Sequence, residues 1–176
     1  RSKPRSQPFR TAATRCAQLQ LVGTPALLLV GTESIALERK EAAMLALLAT
    51  AGATPRASLA AMLWPDADAE GARNNLRQRL FRLRRAAAVE VVAGGAVLHL
   101  ADGVTHDLAA LPARLRADPQ ALAGELLGAM DYGDCPALAP WVELAREQWR
   151  AARRDALAEI AARLEGERQF GPALAY

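Results

Sequence analysis

Hydrophobic positions along this chain change period twice. Near the start the period is two. Leu19 and Leu21 alternate with Gln18 and Gln20, as in a half-buried strand. Gly23-Thr24-Pro25 then breaks the pattern, Ala26–Val30 is a short apolar run, residues 31–34 form a turn, and Ile35–Leu37 is a last short strand. A small antiparallel sheet is expected. From Glu38 the spacing becomes helical. Met44, Leu47, Leu48 and Ala51 make one stripe, Glu38 and Glu41 suit the positive end of the helix dipole, and Gly52 supplies the stop. A second helix is expected from Thr54, its N-cap, with Pro55 at the first helical position. Leu59, Met62 and Leu63 are its apolar face, and Trp64-Pro65-Asp66 ends it. A third helix spans residues 69–88, capped by Asp68 or Asp66. Beyond it the period returns to two. Val89 and Val91 flank Glu90, Gly94-Gly95 marks a tight turn, and Val97-Leu98 begins a return strand.

The third helix has two unlike faces. With Leu76 as the origin and about 100° per residue, Leu80, Leu83 and Ala72 lie within about 40° of it. The opposite arc holds Asn74 (about 160°), Arg85 (about 180°), Gln78 (about 200°), Arg82 (about 240°) and, at its edge, Asn75 (about 260°). Between Arg73 and Arg85 there are six arginines and no acid. A helix exposed only for solubility usually mixes signs, and it does not need amides among its arginines. Asn, Gln and Arg are the side chains that pair bidentately with adenine and guanine edges. Phe81, at about 140°, lies outside the core stripe. It has two readings: packing against the hairpin or second helix, or contact with a thymine methyl.

Past residue 106 the chain reads as helical. Short helices are expected at 107–117 and 120–127, with Asp118-Pro119 as a cap and first-position proline. A long helix follows at 138–165, with the stripe Trp141, Ala145, Trp149, Ala152, Ala156, Ile160 and Leu164. An aromatic stripe at this spacing is core.

Charge divides the chain in the same place. Residues 1–106 carry 14 Lys/Arg and 8 Asp/Glu, whereas residues 107–176 carry 8 and 11. The basic first part points to a polyanionic partner. Residues 1–15 contain five basic residues, two prolines and no acid. They read as a disordered tail; a basic arm on DNA is the sharper alternative. Cys16 and Cys135 lack metal-ligand spacing and read as reduced thiols of a cytoplasmic protein. No apolar run approaches the length of a membrane span, and no membrane partner is expected. The chain opens on Arg1 and stops inside a helical pattern at Tyr176, so the native protein is expected to continue.

Leu63–Arg85, LWPDADAEGARNNLRQRLFRLRR, resembles the DNA-binding domain of the antibiotic-regulatory-protein (SARP) class of bacterial transcriptional activators. The Leu-Trp-Pro-Asp turn, the Ala-Arg-Asn-x-Leu-Arg start and the Leu-Arg-Arg end carry the likeness, and the element order extends it from about Leu19 to Asp107. The segment DYGDCPALAPWVELAREQWRAARRDALAEIAARL is similar to the bacterial transcriptional activator domain that follows in this class. The resemblance implies an α+β winged helix-turn-helix of the OmpR type over 16–106, with small sheet, three helices and wing hairpin. An all-α, TPR-like module would begin at 107–176. It implies a transcription regulator, an activator, that binds double-stranded promoter DNA, including direct repeats. It also implies homodimers on DNA, RNA polymerase as a partner and a place at the bacterial nucleoid.

Mapped onto such a recognition helix, Asn74, Asn75, Gln78, Arg82 and Arg85 are the candidates for base edges. Thr54, Arg56, Arg73, Arg77, Arg79 and Arg84 are the candidates for phosphates, which position without specifying. Six phosphate partners imply a log–log salt slope of about −5. The hairpin has no Lys or Arg, unlike wings that hold the minor groove with arginine. No catalytic or cofactor motif is present: GxSxG, HExxH, a phosphate loop and Cys/His zinc spacing are all missing. His99 reads as structural. Asp66, Asp68 and Glu70 read as capping and dipole partners rather than metal ligands. The expected protein is therefore not an enzyme in this part and needs no cofactor. Two rivals remain. One is a winged-helix and TPR-like module for protein contact without specific DNA binding. The other is an enzyme whose catalytic part lies beyond Tyr176.

Overall fold

The computed structural model describes residues 17–29, 34–120 and 122–166; the basic tail and Cys16 lie outside them. The chain is mixed α and β. Strands β1 (Ala17–Gln20), β2 (Ala26–Leu29) and β3 (Ser34–Ala36) lead into helices α1 (Arg39–Ala51), α2 (Arg56–Leu63) and α3 (Ala69–Ala87), with a two-residue strand β4 (Thr54–Pro55) just before α2. Strands β5 (Val92–Gly94), β6 (Val97–Leu100) and β7 (Val104–His106) follow, then helices α4 (Leu111–Ala117) and α5 (Ala139–Gly166). One sheet has the order β3-β2-β1-β7 and the other β4-β6-β5.

The expected first sheet forms, with β1 antiparallel to β2 and β2 to β3. Its fourth strand was not foreseen. Strand β7 returns beside β1 in parallel, Ala17 facing Val104 and Leu19 facing His106. The sheet buries Ala17, Leu19 and Leu27 against the helices. Helix α1 begins with a capping box: the Glu41 side chain accepts from the Glu38 N–H at 3.0 Å.

Thr54-Pro55 departs from expectation. Pro55 is the residue before α2, not its first, and the Thr54 hydroxyl donates to the Gly52 carbonyl at 3.1 Å instead of capping α2. The reason is non-local. Thr54 pairs with Leu98 and Pro55 with Val97, so both belong to the sheet of the β5–β6 hairpin. The Arg56 N–H, first of the helix, donates to Ala96 at 2.8 Å.

The chain beyond 106 is only partly as expected. Helix α4 starts at Leu111 rather than 107, and α5 occupies nearly the expected span. The described residues of 120–127 form no helix. The Asp118 carboxylate accepts from the Gln120 N–H at 2.9 Å, closing a turn rather than starting a helix. Leu122 and Leu127 have positive φ, which interrupts any right-handed helix. The segment instead docks on the β1–β2 turn. Leu127 donates to the Leu21 carbonyl at 2.7 Å, and Gly23 donates to Glu125 at 2.9 Å. Gly128 has φ +54°, and a Cβ there would meet the Gly23 carbonyl oxygen at 2.4 Å. Arg146 on α5 holds this segment through the carbonyls of Leu126, Gly128 and Met130 at 2.8–3.1 Å. The Trp149 indole donates to Gly124 at 3.3 Å.

One buried cluster therefore runs from Ala17 through α1, α2, α3 and Leu98 to Tyr132, Cys135, Leu138, Val142 and Trp149. Packing crosses the expected boundary at 106/107 without a break. Farther along α5, Ala156 and Ile160 form a second cluster with Leu115 of α4. Of the foreseen α5 stripe, Ala145, Trp149, Ala156 and Ile160 are buried, Trp141 and Leu164 half-buried, and Ala152 exposed. Val142, not in that stripe, is buried.

Asp107 sits at the junction, 2% exposed. One carboxylate oxygen accepts the Leu21 and Val22 N–H groups at 2.8 and 2.9 Å. Burial raises its pKa, against the opposing pull of those N–H groups and Arg114. A folded pKa above the unfolded value means that the folded state binds more protons between the two. This contribution to stability therefore falls as pH rises through that window. Asp107→Ala strands both N–H groups and should lower the unfolding free energy by about 2–4 kcal/mol. Asp107→Asn keeps an acceptor, should lose less, and should lack this fall with pH. Urea titrations from pH 4 to 7 measure both; equal losses for the two variants would refute the assignment.

Candidate nucleic-acid interface

Helix α3 is built to start and stop where it does. Asp68 is its N-cap, and its Oδ1 accepts from the Gly71 N–H at 2.7 Å. Arg84 and Arg85 in the last turn complement the negative end of the dipole. Ala88 closes the helix in the left-handed region at φ 53°. Ala72, Leu76, Leu83 and Ala87 are buried, and Leu80 is half-buried. The apolar stripe read from the sequence faces the core.

The opposite arc faces outward. Gln78, Arg82 and Arg85 are exposed, and Asn74 and Asn75 half-buried. The five base-edge candidates thus share one outer side of one helix. Among them Asn74 is already partnered: its Oδ1 accepts from Arg77 at 2.7 Å, one turn away. That bond orients the amide and leaves its NH2 group as the donor. Arg77, Gln78, Phe81 and Arg82 line an open depression of about 500 Å³.

Arg73, Arg77 and Arg84 are exposed on one flank. Arg56, from the start of α2, joins Arg73, Asn74 and Arg77 around an open depression of about 870 Å³ that also touches Glu70. Arg56 extends the row toward the hairpin as well, lining a smaller hollow with Phe81, Arg84 and Val92. Its main-chain N–H is taken by Ala96, so only the side chain is free to meet an anion. Thr54 is half-buried in β4 and its hydroxyl is engaged. Of the two residues expected to meet a phosphate there, Arg56 has its side chain beside the α3 arginines, whereas the Thr54 hydroxyl is taken by the Gly52 carbonyl.

Arg79 departs from its expected role. Its side chain is 15% exposed and is paired with Glu38 and, at 3.4 Å, with Glu41. It joins α3 to the first turn of α1. Glu41 is itself 8% exposed, and a carboxylate at that depth needs a cation. The signal was in the helical phase: Arg79 falls at about 300°, some 20° from Ala72 on the core side.

The hairpin presents no cation. Leu98 is buried between its neighbours, His99 is exposed and Val97 is 46% exposed near the tip. Cys135 is buried, with Sγ 3.7 Å from the Leu63 carbonyl. The His106 Nδ1 is buried without a partner, and burial holds its pKa below the usual value. Among the described residues no group of three His, Cys, Asp or Glu side chains is placed to hold a metal ion. Among them, too, no helix is long and apolar enough to cross a membrane. Chemically, the outer side of α3 offers planar forks and amides at its centre, with cations on one flank. No family model, curated protein or solved structure matches the chain.

The two kinds of arginine separate in a stability measurement. Arg79→Ala leaves Glu41 without its cation and should lower the unfolding free energy by about 1–3 kcal/mol. Arg77→Ala, on the open flank, should change it by less than about 0.5 kcal/mol. Urea denaturation of both variants checks this, and a larger loss for Arg77→Ala would reverse the assignment.

Proposed function

We propose that this chain is a sequence-specific double-stranded DNA-binding transcription regulator, an activator, and that α3 reads the major groove. The single observation that carries this reading is the outer side of α3. Asn74, Gln78, Arg82 and Arg85 stand there together, flanked by Arg56, Arg73, Arg77 and Arg84, while the opposite side is locked into the core. Amides and guanidinium forks pair with purine edges, and the flanking cations suit phosphates. In this reading α2 and α3 are the helix-turn-helix, the β5–β6 hairpin is a cation-free wing, and the fold is of the OmpR winged-helix type. Helices α4 and α5 are then the opening of a TPR-like module. The resemblance of Leu63–Arg85 to SARP activators supports the same view. It extends the proposal to direct-repeat sites, dimers on DNA, contact with RNA polymerase and a cytoplasmic setting. No catalytic role is proposed.

With Arg79 held by α1 and Thr54 by the hairpin sheet, the phosphate set shrinks to Arg56, Arg73, Arg77 and Arg84. Four phosphates imply a log–log salt slope of about −4. The test is enrichment of duplexes from a random pool, followed by binding isotherms across salt and across single-base variants of the enriched site. Arg73→Ala, on the exposed flank, should weaken all variants alike and reduce the slope by about 1. Arg82→Ala should cost about 1–3 kcal/mol and flatten the preference at one or two base pairs. A chain that enriches no sequence, with arginine variants that do not change its salt dependence, would leave α3 as a protein-contact surface instead.

A further inference from the structure

Phe81 is the residue on α3 that neither the core nor the cation row accounts for. It is 63% exposed, the most open of the exposed large apolar side chains among the described residues. Its neighbours Leu80 and Leu83 turn inward, half-buried and buried. Phe81 sits at about 140° from Leu76, at the edge of the base-facing arc, between Arg77 (about 100°) and Asn74 (about 160°). Packing against the hairpin or α2 would have covered it, and neither does. The ring borders two hollows, one shared with Arg77, Gln78 and Arg82, the other with Arg56, Arg84, Val91, Val92 and one acid, Glu90. Phenylalanine is a poorer helix former than the arginine, glutamine and alanine around it, so local structure gives no reason for it.

We infer that Phe81 is a specificity-determining residue that packs its ring on the C5-methyl of a thymine in the major groove. The inference rests on the DNA-reading proposal for α3. The occupant follows from charge and chemistry. The ring lies within an arc of amides and arginines with no acid between Arg73 and Arg85, which selects a polyanion. The bases offer few apolar groups at their major-groove edges, and the thymine methyl is the one that distinguishes a base pair there. A ring carried into the groove among hydrogen-bonding side chains therefore gains most where that methyl is. Gln78 lies three residues before Phe81, about 4.5 Å along the helix axis. The thymine is thus expected one or two base steps from the base that Gln78 reads.

The experiment uses the 176-residue chain and the duplex it enriches from a random pool. Each thymine of that duplex is replaced in turn by deoxyuridine, which removes the methyl and keeps every hydrogen bond. At one thymine the wild-type chain should bind about fourfold more weakly, the worth of one methyl group taken from water. Phe81→Ala should bind the thymine and uracil duplexes equally, and Phe81→Leu should recover part of the difference. Circular dichroism confirms that the variants fold, as expected for so exposed a position. An enriched duplex without thymine at that position, insensitivity to every uracil, or a thymine preference that survives Phe81→Ala would each overturn the inference while leaving DNA binding in place. Enrichment of no duplex at all would remove the DNA reading beneath it, a result distinct from the other three.

Discussion

Helix α1 has no free side. Every residue from Glu41 to Leu48 is buried, so the surrounding elements must close around it. The sheet, α2, α3, β6 and the stretch from Tyr132 to Leu138 share its core. Burial so complete reaches the acid at its start. Glu41 cannot turn to water, and its carboxylate is held by the Glu38 N–H and by Arg79 from α3. The ion pair is therefore a consequence of packing, and it in turn limits how α3 can sit.

Rotation is what matters for α3. Its side chains are locked in phase, so placing Ala72, Leu76 and Leu83 inward and Arg79 against α1 determines where all the others point. Asn74, Gln78, Phe81, Arg82 and Arg85 then share the outer side as a set. A turn of one residue, about 100°, would bury arginine and expose leucine. The hairpin adds a second constraint. By pairing with Thr54 and Pro55 and accepting the Arg56 N–H, it ties the start of α2 to β6. That places the Arg56 side chain beside Arg73 and Arg77. The cation row is thus assembled from two helices that are each fixed from behind.

Elements whose stabilising partners lie close in sequence were legible. The alternation at Gln18–Leu21, the Asp68 cap and the apolar side of α3 were readable because a single period or one local hydrogen bond specifies them. In α1 the expected stripe of Met44, Leu47 and Leu48 is buried, but so is every residue from 41 to 48, and Ala51 is exposed. What was missed depends on partners far away. Thr54-Pro55 has the local chemistry of a helix start, yet a hairpin some forty residues later takes it as a strand. Strand β7 is three residues long and exists because β1 offers an edge. Residues 120–127 have helical composition, but Leu126 bridges to Val22 and Leu127, in a turn with positive φ, donates its N–H to the Leu21 carbonyl. At the candidate interface the central arc of α3 was visible in the helical phase. Arg79 has the charge of its neighbours but an angle on the core side, and there it pairs with Glu38 and Glu41. The half-buried environment of Leu80 reflects its place at the border of the same stripe.

The turn that opens α1 also joins α3 to the chain beyond residue 106. Glu38 and Glu41 reach Arg79, while Arg39 between them reaches the other way. Its guanidinium pairs with Asp134 and donates to the Asp131 carbonyl at 2.6 Å. The Tyr132 hydroxyl donates to the Arg39 carbonyl at 2.9 Å. The Arg39 pairing holds the Asp134 carboxyl down to about 2, so the pair stays charged at any ordinary pH. Three residues of one turn, Glu38, Arg39 and Glu41, thus contact α3 on one side and the 131–134 loop on the other. That loop leads into α5 through Leu138, and α5 grips the first sheet through Arg146 and the loop carbonyls. Displacing α5 relative to α3 must either carry this turn along or break charge pairs on one side of it. The rotation that sets the outer side of α3 is therefore supported, through a single helical turn, by the part of the chain that composition assigns to a different unit.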